Sequence, residues 1–142
     1  MLVEHARNLV GIADAAHSEY GPGGTPIITP LECSLDGQTI TVDLAPGSRL
    51  AKLYGTLTAV EHTTCSYGLA PDVQHIASEG GMRISAVDST GEVRAIERID
   101  HPFFVGTLYQ PQLRSAPGAP NPVFVGLLDA AGEAAGIHPR RL

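Results

Sequence analysis

The sequence has no tryptophan, few aromatic residues and few positive charges. Aromatic residues make up 5% of the 142 residues, so aliphatic side chains must form most of any core. Lysine and arginine together number 9 against 15 aspartates and glutamates, which gives a net charge of −6. Nucleic-acid binding needs clustered positive charge to neutralise phosphates, and the sequence has no run of lysines and arginines. We therefore expect no nucleic-acid partner.

Long apolar runs and a cysteine framework are also missing. No stretch reaches the roughly 20 apolar residues that a membrane helix needs, and Glu4, His5 and Arg7 interrupt the place where a signal peptide is apolar. Two cysteines, Cys33 and Cys65, fit neither a disulfide framework nor a zinc site, and the six histidines show no metal-ligand spacing. These absences predict a cytoplasmic protein with free thiols, no metal, no cofactor and no membrane association.

Hydrophobic periodicity predicts helices and strands in alternation. Apolar residues at helical spacing predict a helix over residues 1–13 with no capping residue before it, and residues 20–30 read as a loop. The other predicted elements are strands at 38–44, 57–65 and 103–109, a hairpin of 82–87 with 92–99, and helical segments at 48–54, 71–78 and 122–135. The last helix is expected to pack through Phe124, Leu127, Leu128 and Ala131. This mixture predicts a single α/β domain over residues 1–142, with a mixed sheet and flanking helices.

The late segment DHPFFVGTLYQPQLRSAPGAPNPVFVGLLDAA, residues 100–131, resembles the C-terminal part of class I glutamine amidotransferase domains, most closely that of CTP synthase. The family pattern is a strand HPFFVGVQ(F/Y)HPE, a loop with Ser, Arg and Pro, and a helix FxGLLxAA. The resemblance extends back through GMRISAVDSTGEVRAIE, VEHTTCSYGL and ARNLVGIADAAHSEY, so it covers nearly the whole chain. It implies a class I glutamine amidotransferase-like, flavodoxin-like fold, of which the first half would precede Met1.

The same resemblance bears on catalysis. The family uses a cysteine that attacks the glutamine amide, a histidine base and a glutamate that orients the histidine. Residue by residue, the histidine position is Gln110 and the glutamate position is Gln112, and neither side chain can act as a general base. The nucleophile position would fall upstream of Met1. We therefore predict a degenerate domain without glutaminase activity, whose role is binding, assembly or regulation, with a small-molecule ligand of unknown identity.

Two other interpretations stay open. One is a hydrolase or a thiol or selenol redox enzyme whose nucleophile lies upstream of Met1, since one related group can carry selenocysteine at that position. The other is a structural module without a ligand. If the first half of the domain is absent, an unpaired sheet edge and apolar helix faces would be exposed. Pairing of two copies would cover them, which predicts a homodimer.

Three residues are candidates for a remaining pocket: Cys65, Tyr67 and Tyr109. Cys65 lies near the strand that the resemblance makes substrate-facing, but residues 62 and 65 of a strand face opposite sides, so a Cys–His dyad would need a bulge. A buried, inert thiol is the simpler expectation for Cys65, and packing is the simpler one for Tyr109. Glu61 matches a family glutamate and is expected to be a charge at a strand edge.

Overall fold

A computed structural model describes residues 1–137 of the chain. The strands are β1 (Ala15–His17), β2 (Thr25–Pro30), β3 (Gln38–Leu44), β4 (Thr58–Thr63), β5 (Tyr67–Leu69), β6 (Met82–Asp88), β7 (Val93–Arg98) and β8 (Val105–Thr107). The α-helices are α1 (Leu2–His5), α2 (Arg49–Tyr54) and α3 (Pro122–Ala134). A π-helical turn, Ala6–Val10, continues α1, and 3₁₀ segments cover Ser18–Tyr20, Pro71–Ser78 and Pro111–Arg114.

Two sheets form the framework. The larger one is antiparallel in the order β4–β3–β6–β7–β8, and the smaller one has the order β1–β2–β5, with β1 and β2 parallel. Buried apolar side chains form two clusters, one around Ile27 and Ile76 and the other around Val42 and Leu50. Strands and helices are therefore mixed as the sequence predicted. None of the helices in residues 1–137 is long and apolar enough to cross a membrane.

The larger sheet curls until its two outer strands approach each other. At the end of β4, the Thr63 hydroxyl donates to the Leu108 carbonyl oxygen at 3.2 Å. The Gln110 N–H donates to the His62 carbonyl oxygen at 2.9 Å. Because β4 and β8 lie at opposite ends of the strand order, these bonds require the curl. The segment that follows β8 is thereby held against the end of β4.

The hairpin of β6 and β7 confirms the strongest turn prediction. Its turn is organised by Asp88, whose carboxylate accepts the Thr90 N–H at 2.9 Å and the Arg94 Nε–H at 2.8 Å. The Arg94 guanidinium also contacts Glu92 and is buried. A buried guanidinium needs such carboxylate partners to offset its desolvation. The DSTG turn is thus stabilised by the ion pair of Asp88 with Arg94 as well as by Gly91, whose φ is positive.

Two predictions about the first thirty residues were wrong. The first helix is shorter than 1–13: it widens into a π-helical turn and ends at Gly11, whose φ of 89° is the left-handed conformation that closes a helix. Residues 25–30 are a strand rather than a loop, with Ile27 and Ile28 buried. Pro26 and the glycines before it suggested a loop, but Pro26 lies at the bulge in the pairing with β1 and Pro30 is the last residue of β2, where a sheet tolerates a missing N–H.

The packing face of α3 also differs from the prediction. Val123 and Gly126 are its buried residues, whereas Leu127 is half-exposed and Leu128 is 71% exposed. Gly126 sets this orientation because α2 lies very close: a Cβ atom at Gly126 would lie 2.5 Å from Leu53 Cδ2. The helix is apolar on nearly all sides, so its periodicity could not identify the face. The late strand is likewise shorter than 103–109, because only Val105–Thr107 pairs with β7.

Candidate functional site

Gln110 joins the two edges of the curled sheet through both its backbone and its side chain. Its Oε1 atom accepts the Thr64 N–H at 2.7 Å, in addition to the backbone bond to His62. The half-buried Gln110 therefore holds the start of the 3₁₀ segment Pro111–Arg114 against the end of β4. Gln112 lies within that segment and is exposed. Of the two residues that the resemblance puts at catalytic positions, Gln110 thus joins the two sheet edges, and we call this contact the clasp. Gln112 faces solvent.

Cys65 and His62 each have a different partner. The Cys65 thiol, which is half-buried, donates to the Tyr67 carbonyl oxygen at 3.2 Å. The His62 Nδ1 atom lies 2.7 Å from the Thr39 hydroxyl oxygen on the neighbouring strand. β4 ends at Thr63, so the chain has already left the strand at Cys65. Within residues 1–137, the thiol therefore bonds to a carbonyl oxygen, and His62 bonds to Thr39 instead of to the thiol.

Tyr67 and Tyr109 belong to different clusters. Tyr67 packs against the cluster around Ile27, and its ring centroid lies 5.1 Å from that of His17. Tyr109 is 1% exposed and packs in the cluster around Leu50. Tyr67 and Tyr109, which were predicted to share a pocket with Cys65, therefore lie in different cores. His17, which stacks on Tyr67 and has its Nδ1 atom fixed by the Glu19 N–H at 3.2 Å, is a neighbour that the sequence did not suggest.

Glu61 lies at the centre of a buried polar cluster that sequence reasoning missed. It lies on the edge strand β4, as expected, but is only 2% exposed, so the charge is buried. Its Oε1 atom accepts the Tyr54 hydroxyl at 2.6 Å and the Asn121 Nδ2–H at 2.9 Å, while its Oε2 atom has no partner among the described residues. The pKa of Tyr54 is raised mainly by burial, next by the electrostatic interaction with Tyr109 and then by the hydrogen bond to Glu61. Burial also raises the pKa of Tyr109.

The cluster connects β4, α2 and the start of α3. Asn121 caps α3, because its Oδ1 atom accepts the Val123 N–H at 3.0 Å while its Nδ2 atom donates to Glu61. Its members come from three distant segments, so no spacing in the sequence reveals it. Across residues 1–137, no three histidine, cysteine, aspartate or glutamate side chains lie close enough together to hold a metal ion. The cluster is thus a set of donors around a single carboxylate.

Comparison of sequences identifies relatives among the CTP synthases. The chain is 32% identical to CTP synthase of Phenylobacterium zucineum and 31% identical to CTP synthase of a Caulobacter species, in each case over 93% of this chain. It spans only 28% of the length of these relatives. No protein-family model matches it.

Comparison of structures also finds a domain of a CTP synthase. The glutaminase domain of Trypanosoma brucei CTPS, solved with bound acivicin, superposes with a TM-score of 0.86 and 25% identity, over 93% of this chain and 56% of that one. A GMP synthase subunit protein of Thermoplasma acidophilum superposes with a TM-score of 0.57 and 9% identity, over 77% of this chain and 50% of that one. The second likeness concerns the fold alone. Both confirm the predicted fold class.

Proposed function

Because the chain belongs to the class I glutamine amidotransferase-like domains and is related to the glutaminase domain of CTP synthase, we propose that it is a degenerate member without glutaminase activity. Its role is binding or assembly. A glutaminase needs a group that accepts and returns a proton, and a glutamine side chain does neither at ordinary pH. The resemblance puts Gln110 and Gln112 at the two positions of the base and its orienting partner.

The geometry of Gln110 is the observation that carries this proposal. Its amide oxygen is occupied by the Thr64 N–H at 2.7 Å, and its backbone N–H is bonded to His62. A side chain held in this way supports the curled sheet, and its amide cannot take up a proton at ordinary pH. Among residues 1–137, the hydrogen bond that the Cys65 thiol donates goes to a carbonyl oxygen and not to a base. These contacts favour a structural use of the former catalytic edge.

Glutamine hydrolysis by the purified chain tests the proposal directly. We expect glutamate release no faster than in a protein-free blank, for the natural sequence and for Cys65→Ser alike. Cys33→Ser is the matched control, because Cys33 is exposed and distant in sequence from the clasp. Turnover that Cys65→Ser abolishes and Cys33→Ser leaves intact would show that the half-buried thiol is a nucleophile, and the proposal would fail.

Assembly with a second copy is part of the same proposal. Within residues 1–137, β8 pairs only with β7, so the other side of this short strand presents unpaired backbone groups. Beside it lies an apolar recess of about 210 Å³, lined by residues that include Leu2, Ile28 and Leu69. A homodimer that covers both features should show a mass near twice 14.9 kDa in light scattering. A constant monomer mass at all concentrations would contradict this assembly.

The intact mass of the protein from its native cells decides between this proposal and an enzyme with an upstream nucleophile. The solved glutaminase domain is matched over 56% of its length, so a large part of that domain has no counterpart here. A native mass near 14.9 kDa would support binding or assembly. A larger mass with an additional cysteine, or with the isotope pattern of selenium, would favour the hydrolase or redox enzyme instead.

A further inference from the structure

Positive side chains gather in one recess of this acidic chain. The recess has a volume of about 250 Å³ and lies between α2 and the ends of β6 and β7. Four of the nine lysines and arginines of the chain line it: Arg49, Lys52, Arg83 and Arg98. Arg49 and Lys52 lie three residues apart on α2 and so share a helix face. Such a concentration is unexpected in a chain with a net charge of −6.

The carboxylates near the recess neutralise only part of this charge. Glu97 is buried and contacts the Arg83 guanidinium, and it also accepts the Arg49 N–H at 2.9 Å. Asp100 pairs with Arg98 through two bonds of 3.0 and 2.8 Å. Lys52 has no ion-pair partner among residues 1–137. Four positive charges thus face two negative ones, which leaves an excess of two positive charges.

Arg49 and Arg83 each have N–H donors without a hydrogen-bond partner among residues 1–137. Arg49 donates from Nη2 to the His101 carbonyl oxygen at 2.9 Å, and Arg83 donates from Nη2 to the Gly47 carbonyl oxygen at 3.2 Å. The Nη1 atoms of both residues have no hydrogen-bond partner within the described part of the chain and are not fully buried, whereas the Nε atoms are buried and out of reach of a ligand. A guanidinium has five N–H donors in a planar fork that matches the oxygens of a phosphate. The recess therefore has unused donors as well as unbalanced charge.

We propose that this recess binds the phosphate group of a small-molecule anion. A phosphate monoester carries a charge of about −1.5 to −2 at pH 7, which matches the excess of two positive charges. Arginine forks bind such groups through paired, charge-assisted bonds, and lysine adds a compact charge at the rim. The volume suits a phosphate with a small body and is below that of a site for a larger ligand. This binding does not depend on whether the chain hydrolyses glutamine.

Titration with inorganic phosphate, followed by amide chemical shifts at constant ionic strength, tests the proposal. We expect saturable shifts at the amides of Gly47, Lys52, Arg83 and Ile99, with sodium chloride of equal ionic strength as the blank. A parallel titration with glycerol 3-phosphate distinguishes the two sources of the group. Tighter binding of the ester would assign the site to a phosphorylated metabolite, and tighter binding of inorganic phosphate would assign it to the free ion. Either result supports the site.

The variants Lys52→Gln and Arg98→Gln identify the residues that bind. Neither side chain is buried, so both proteins should fold, and each change should weaken phosphate binding about fivefold. Arg7→Gln is the matched control: it removes the same charge from an exposed ion pair with Glu4, outside the recess. Equal affinity in all three variants, or shifts that chloride reproduces, would overturn the proposal. Arg83 is left unchanged, because its loss would leave the buried Glu97 carboxylate without its ion-pair partner.

Discussion

Replacing Asn121, the residue that caps α3, by alanine should destabilise the protein more than the loss of a helix cap alone would. Asn121 is 3% exposed and makes three side-chain hydrogen bonds that alanine cannot make: to the Val123 N–H, to Glu61 and, at 3.3 Å, to the Tyr54 hydroxyl. Loss of the cap on α3 costs about 1 kcal/mol. Loss of the 2.9 Å bond to the buried Glu61 carboxylate costs about 2 kcal/mol, because bonds to charged groups are worth roughly 1.5–3 kcal/mol. We expect the free energy of unfolding to fall by about 3 kcal/mol.

Two further substitutions separate these contributions. Asn121→Ser keeps an oxygen that can cap α3, so it should recover about 1 kcal/mol and leave the loss that belongs to Glu61. Tyr54→Phe removes the other donor to the same Oε1 atom, at 2.6 Å, and should cost about 2 kcal/mol. The double variant Tyr54→Phe with Asn121→Ser leaves a buried carboxylate without either donor. Its loss should therefore exceed the sum of the single losses.

Urea unfolding followed by far-ultraviolet circular dichroism measures these differences, since the chain has no tryptophan. Asn8→Ala is the matched control: it removes an exposed asparagine bond to the Glu4 carbonyl oxygen and should change stability by less than about 0.5 kcal/mol. A loss of only about 1 kcal/mol for Asn121→Ala, with Asn121→Ser equal to the natural sequence, would mean that the bond to Glu61 contributes nothing. The reasoning about the buried cluster would then be refuted.

Two pH-dependent effects follow from the same structure. Burial alone would raise the pKa of Asp88, but hydrogen bonds from Thr90 and Arg94 outweigh it and hold the pKa below its ordinary value. The stability from this carboxylate is present above the unfolded pKa of about 3.9 and is lost as the pH falls through the lower folded pKa. Asp88→Asn should therefore lower stability by about 2 kcal/mol at pH 7 and flatten the acid dependence of urea midpoints; an unchanged acid limb would contradict this. The raised pKa values of Tyr54 and Tyr109 keep both phenols neutral in the folded state, so stability should decline above the unfolded value of about 10. Two of the four tyrosines should ionise only as circular dichroism is lost, and full ionisation before unfolding would disprove their burial.

The features that the sequence predicted well are those with local causes. The hairpin of β6 and β7 follows from β-branched residues on either side of a DSTG turn, and α2 follows from Ser48, whose hydroxyl accepts the Ala51 N–H at 3.0 Å. The resemblance at residues 100–131 predicted the fold class, which the structural neighbours confirm. In the hairpin and in α2, neighbouring residues determine the conformation. Such information is fully present in a short window of sequence.

The errors occur where distant residues decide. The β2 strand exists because β1 and β5 supply partners, which outweighs the prolines and glycines around it. The face of α3 is fixed by the close approach of α2 to Gly126, since apolar side chains surround the helix. Glu61 is buried because Tyr54 and Asn121 supply donors from other segments. Each of these outcomes depends on tertiary contacts that periodicity does not encode.

If the chain is the degenerate domain that we propose, the clasp at Gln110 gives a physical reason why such an edge can lose its proton-transfer groups and keep its fold. The Gln110 amide oxygen accepts the Thr64 N–H across the closure of the curled sheet, and it does so without titrating. A glutamine therefore keeps the edges joined over a wide pH range, whereas a histidine there would change its donor and acceptor pattern near neutral pH. Selection for a closed sheet and selection for catalysis then favour different residues at the same position. The contacts of Gln110 in this chain satisfy the first requirement.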